Sequence, residues 1–170
     1  MTLEAQIMPP ALSGQALHDR QCELAENTEP SAFKLTAQLL EQGRTDSPLA
    51  ATEDLALRMK VYASGGENTL HAHPTEDHSF IVLQGEATFQ GKDGEMAKLG
   101  VHEGIMLPKG SLYSFLATSE EPLVMLRIGT PNVAKQGQKN RTGANGGYMA
   151  GDSKENKKVP VVFRKGAYFE

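Results

Sequence analysis

From residue 53 onward the chain breaks into short strand-like runs separated by turn residues at a nearly regular rhythm. Leu55, Leu57, Met59 and Val61 alternate with Ala56, Arg58 and Lys60, the period-two pattern of a half-buried strand. Similar runs recur at 69–72, 79–84, 87–90, 95–99, 104–107, 112–117 and 123–128. Between them stand Gly65-Gly66, Pro74, Gly85, Lys92-Asp93-Gly94, Gly100, Pro108-Lys109-Gly110 and Glu121-Pro122. Strands of four to six residues at this spacing predict an all-β sandwich or barrel. Asp93-Gly94 is a hairpin signal, because Asp-Gly suits a turn that needs positive φ.

The flanks read differently. The predicted N-terminal arm, residues 1–50, carries a helix near Ser13–Ala25, with Ser13 as its cap. A second predicted helix runs from Phe33 to Gly43, on the spacing of Leu35, Leu39 and Leu40, and a turn follows from Thr45 to Pro48. The β core spans 51–130. An extended basic C-terminal segment, 131–170, packs on the core or on a partner subunit. Its 131–147 stretch reads as a loop, and Val159–Arg164 as one last strand that Pro160 confines to an edge.

Charge divides along the same lines. Residues 1–130 hold nine Lys and Arg against eighteen Asp and Glu, and residues 131–170 hold eight against three. A net charge of −4 without a dense basic cluster predicts no nucleic-acid partner. No apolar run is long enough for a transmembrane helix, and the first residues lack the pattern of a secretory signal. The one cysteine, Cys22, excludes an intrachain disulfide, so a cytoplasmic location is expected. Cys22 itself reads as a structural or incidental thiol.

Four of the five histidines fall between residues 71 and 102. His71 and His73 are two apart, so on a strand both point to one face. His78 follows the Pro74 turn and opens the next strand, where an antiparallel neighbour brings it opposite them. Three neutral imidazoles on one concave wall suit a single divalent metal ion: Fe, Mn, Ni, Cu or Zn. Phe80, Val82, Met106 and Phe115 read as pocket wall or core. His102 reads as surface, and His18 receives no role. Glu67 is a candidate supporting group near the mouth. Glu76 and Asp77 read as a solvated turn, with Glu76 the spare candidate acid.

The segment GGENTLHAHPTEDHSFIVLQG, residues 65–85, resembles the first motif of the cupin superfamily, with Gly65, His71, His73 and Gly85 in register and His78 where the common form has Glu. Pro108 and Gly110 resemble the second motif, in which Tyr113 stands where the last histidine ligand falls. The resemblance covers about residues 53–130. It implies a cupin-type antiparallel jelly-roll barrel with short N-terminal helices, a metal held by His71, His73 and His78, and a homodimer. Tyr113 then ligates, supports a bound water or moves a proton as the catalytic residue.

Three functions follow from the resemblance. The first is a metal-dependent, dioxygenase-like enzyme acting on a small organic molecule. The second is a non-catalytic small-ligand-binding module, and the third a non-redox Zn-dependent cyclase or isomerase. The cations near the motifs are Lys109, Arg58 and, should it point inward, Arg127, which disfavours a strongly anionic sugar-nucleotide substrate.

Overall fold

A computed structural model of the chain describes residues 8–132, 134 and 140–170. One helix, α1 (Gly14–Glu26), precedes twelve strands: β1 (Ala37–Gln42), β2 (Arg44–Ala51), β3 (Ala56–Tyr62), β4 (His71–Ala72), β5 (Asp77–Gln84) and β6 (Ala87–Gly91), then β7 (Gly94–Leu99), β8 (Gly104–Leu107), β9 (Ser114–Ala117), β10 (Leu123–Thr130), β11 (Thr142–Gly143) and β12 (Val162–Phe169). The all-β jelly-roll expectation holds. A five-stranded antiparallel sheet, β2-β3-β10-β5-β8, faces a three-stranded one, β7-β6-β9, and neither closes on itself. Phe80 and Val82 from the larger sheet meet Phe89 and Phe115 from the smaller in the core between them.

The predicted helix at Phe33–Gly43 is instead strand β1. Leu35, Leu39 and Leu40 imitate a helical stripe, but register shifts on either side of Leu40 let consecutive leucines both turn inward. The predicted turn at Thr45–Pro48 lies within β2, an edge strand of the larger sheet. An edge strand tolerates the missing N–H of Pro48, and the register shifts just after it. Ser13 takes the N-cap position of α1, yet its side chain makes no capping hydrogen bond.

β1 and β12 pair into a ribbon, Ala37 opposite Phe169 and Gln42 opposite Val162. The last strand therefore lies a few residues beyond the predicted Val159–Arg164. A second core joins Leu39 and Leu40 of β1 to Leu49, Met59, Val61 and Val124 of the larger sheet, with Leu57, Leu126 and Phe169 around it. The central strands β3 and β10 are thus covered on both faces. β3 turns its apolar side toward this second core and its polar side, Arg58 and Lys60, into the space between the sheets. Part of the predicted 131–147 loop falls outside the described residues; Thr142 and Gly143 form β11, pairing with Ala72 and His71.

Leu40 is fully buried in the second core. Leu40→Ala is expected to lower the unfolding free energy by about 3 kcal/mol, measured by urea titration, because the site cannot collapse around the lost side chain.

Candidate functional site

Backbone hydrogen bonds bring the His71–His73 segment and the Pro108–Tyr113 segment together. His71 and Tyr113 exchange a reciprocal pair, N–H to carbonyl at 2.9 and 2.8 Å. The Gly110 N–H donates to the His73 carbonyl at 2.9 Å. Asp77 does not lie in a merely solvated turn: its carboxylate accepts the Lys109 N–H at 2.7 Å and ties the strand start to the Pro108–Gly110 turn. Gly110, with φ of +82°, gives that turn a backbone which a side chain strains.

The rings of His71, His73, His78 and Tyr113 consequently form one cluster. Centroid separations are 5.2 Å for His71–His73, 4.2 Å for His73–His78 and 4.4 Å for His71–Tyr113. The Nδ1 of His71 lies 2.7 Å from the Thr69 carbonyl, so it carries the proton and leaves Nε2 as a free lone pair. Burial pushes all three histidines well below their ordinary range. The charge of Arg141 adds to this at His71 and that of Arg127 at His78, and His73 and His78 stand close enough to oppose each other's protonation. All three are neutral near pH 7.

Glu76 is the main correction to the sequence reading. It is a wholly buried carboxylate, not part of a solvated turn. Arg127 Nη2 donates to Glu76 Oε1 at 2.7 Å and to His78 Nε2 at 2.6 Å. Because a guanidinium only donates, His78 Nε2 accepts, and His78 Nδ1 donates to the Tyr113 hydroxyl 3.0 Å away. Glu76 Oε2 also lies 2.9 Å from His78 Nε2, so two acceptors face each other. His73, Glu76 and His78 offer donor atoms all within 4.8 Å of one another. Neutral imidazoles and a carboxylate suit a divalent cation, and a cation between the facing lone pairs relieves their repulsion. The Arg127 guanidinium is the cation that meets them here. Tyr113 is buried, which raises its phenol well above the ordinary value and keeps it protonated.

His71, His73, Glu76 and Tyr113 lie on the wall of a cavity of about 480 Å³ between the sheets, which Tyr62, Phe80 and Phe115 also line. Arg127 does point inward, and the cavity is far more cationic than the sequence suggested. Arg44, Arg58, Lys60 and Arg141 line it as well. Arg44 is spent on main-chain carbonyls, among them Glu67 at 2.7 Å and Asn156 at 2.7 Å. Asp46 bonds Lys60 at 2.6 Å. Burial raises the Asp46 carboxyl, but the charges of Lys60 and Arg58 outweigh it and hold the group at about 2. Glu67 contributes its carbonyl to Arg44 and lines a different, smaller pocket. Met106 is 65% exposed and is no part of the wall, whereas Phe80, Val82 and Phe115 are buried. His102 is exposed, and Cys22 is a free thiol.

Two facing antiparallel sheets with a histidine-rich chamber between them define a jelly-roll domain. Residues 58–129 match the family model described as the cupin domain, and that segment of the chain is a cupin domain. It is 31% identical over 77 residues to the uncharacterized protein YdbB of Bacillus subtilis strain 168, a match covering 45% of this chain. The chain spans 66% of that relative's length. Among solved structures, the cupin domain of Cnp3 from Schizosaccharomyces pombe aligns with a TM-score of 0.50 at 17% identity, over 57% of this chain and 71% of that one. KdgF from a Halomonas species aligns with a TM-score of 0.48 at 21% identity, over 52% of this chain and 79% of that one.

Gly129 lies against the Glu76–Arg127 pair, where an added Cβ would overlap Glu76 Oε1 and sit 2.9 Å from Arg127 Nη1. Gly129→Ala is expected to lower the melting midpoint measurably, at a cost of about 2 kcal/mol. Gly100→Ala, whose Cβ meets nothing nearer than 3.7 Å, should leave the midpoint near that of wild type.

The depressed Asp46 carboxyl gives a second expectation. Its stabilising contribution is complete above the ordinary carboxyl pKa and is lost as pH falls toward about 2. The stability difference between wild type and Asp46→Asn, followed by urea unfolding, should therefore shrink by about 2 kcal/mol between neutral pH and pH near 2.

Proposed function

We propose that this chain is a metal-binding cupin enzyme that acts on a small organic molecule in the chamber between its sheets. The observation that carries the reading is the close set of His73, Glu76 and His78 donors, with His71 beside them and its Nε2 free. His71, His73 and His78 hold the ion in this reading, and Glu76 joins them. A bound Fe, Mn, Ni, Cu or Zn ion supplies Lewis acidity and, for the redox metals, dioxygen-type chemistry. Tyr113 fixes the His78 tautomer through its 3.0 Å hydrogen bond and stands ready to donate its hydroxyl proton to a bound molecule. Phe80 and Phe115 keep bulk water away from that side.

The assembly belongs to the same proposal. Exposed Val162, Phe163 and Tyr168 on β12 support a homodimer that covers them. The free Cys22 accords with a cytoplasmic location. Among the described residues, no helix is long and apolar enough to cross a membrane.

One observation favours a second reading, a non-catalytic ligand-binding module. Arg127 already contacts both Glu76 and His78 and balances the carboxylate without a metal.

Metal analysis by mass spectrometry on untagged protein separates the two. The expected result is about one ion per chain in wild type, lost in His71→Ala/His73→Ala. Iron would point to oxygen chemistry and zinc to a cyclase or isomerase. Wild-type protein that stays metal-free after reconstitution overturns the enzyme reading and leaves the binding module.

A further inference from the structure

We propose that the chamber binds a small organic anion whose oxyanion head, a carboxylate or a phosphate ester, seats between Arg58 and Arg127. This rests on the reading of the chamber as the small-molecule site and adds the charge class of its ligand.

Arg58 and Arg127 are register partners across β3 and β10. Both side chains line the cavity, so two like charges stand directly opposite each other, an arrangement that destabilises a sheet unless it is neutralised. Their acidic partners do not satisfy them. Glu76 takes only Nη2 of Arg127. Asp46 accepts the hydrogen bond of Lys60, and its other oxygen lies 3.9 Å from Arg58, beyond hydrogen-bond reach.

Arg58 Nε, Arg127 Nη1 and Arg141 Nε are buried with no hydrogen-bond partner. A buried guanidinium N–H left unpaired carries a desolvation cost that an incoming acceptor removes. Around the chamber as a whole, six Lys and Arg side chains meet three carboxylates. Four of the six, Arg44, Arg58, Lys60 and Arg127, come from residues 1–130, a region strongly acidic by composition, and Arg141 and Lys158 come from the basic C-terminal segment. Burial, and then the charge of Arg127, pulls Arg58 down to about 10, which registers the same excess.

An oxyanion is the ligand chemistry that answers these donors, because its oxygens accept in the fork geometry a guanidinium offers. Tyr62, Phe80 and Phe115 supply an aromatic wall for the apolar body of the molecule. The volume of about 480 Å³ falls in the range of small-molecule sites.

The test is calorimetric titration of the full chain, metal-stripped and metal-replete, with benzoate, phenyl phosphate and uncharged benzamide. At least one anion should bind about tenfold or more tighter than benzamide in both metal states, and the preferred anion identifies the head group. Arg58→Gln should lose about tenfold of that affinity, and Arg58→Lys should keep part of it, with metal content unchanged in both. Two results overturn the proposal. In one, the anions bind no better than benzamide. In the other, they bind only when metal is present and are indifferent to Arg58→Gln, so that the anion is a metal ligand. Anion binding in a protein that never takes up metal would refute the enzyme reading and leave this inference standing.

Discussion

The covering of β3 and β10 on both faces governs the rest of the structure. A sheet in a small β-protein commonly keeps one face for the core and gives the other to water. Here the β1–β12 ribbon takes the outer face and packs Leu40 and Phe169 against Met59, Val61 and Val124. The alternation of side chains then has one place left for Arg58, Lys60 and Arg127, which is the chamber. Charges that water would otherwise solvate become the lining of a cavity, where each must find a partner or a ligand. The shifted Asp46 and Lys60 groups follow from this placement. Lys60 is drawn down to about 8 by burial, against the pull of Asp46.

Within the chamber, Arg127 joins the charged half to the histidine half. Its guanidinium touches Glu76 and His78 on one side and faces Arg58 across the strand pair on the other. Loss of one partner of a buried pair of this kind typically costs 3–5 kcal/mol, because the remaining charge is stranded. Gly129 has no side chain to press on the pair, so backbone and ion pair fit together at that point. A metal ion held by His73, Glu76 and His78 would share Glu76 and His78 with Arg127, so its occupation would be linked to the position of the guanidinium.

The strands from 55 to 130 were legible because their turns are written in Gly, Pro and Asp, and because the two motifs fix their own geometry. Gly110 lies at positive φ in the turn that ties to His73. The approach of His71, His73 and His78 was legible from their spacing, and the place of Tyr113 beside them from the resemblance to the second motif. β1 was not, since Leu35, Leu39 and Leu40 carry a helical spacing and the irregular register that makes them a strand leaves no local mark. That misreading hid the charged chamber as well. With 33–43 taken as a helix, nothing marked the outer face of β3 as covered; Arg58 was counted only as a cation near the motifs, and Lys60 received no role. Glu76 was masked by its neighbours, since a run of Pro, Thr, Glu and Asp reads as a surface turn. Its burial depends on Arg127, fifty-one residues away in sequence.

The C-terminal segment completes the site by a route that composition hints at but does not specify. β11 pairs with β4 at His71 and Ala72, and this pairing carries Arg141 to the chamber wall. Arg141 Nη2 reaches Asn156 Oδ1 at 2.8 Å, and Asn156 in turn accepts Arg44 at its carbonyl and the Thr69 N–H at its side chain. One buried asparagine thus links the basic tail, the edge strand and the residue whose carbonyl orients His71. The charge asymmetry of the chain acquires a physical meaning here. The tail is basic where it closes over an acidic body, and part of its charge is delivered to the interior. In that interior its field acts at low dielectric on whatever anion enters, while the acidic surroundings weaken attraction at a distance. Selection of the anion proposed for the chamber would therefore rest on contacts made inside it more than on long-range steering toward it.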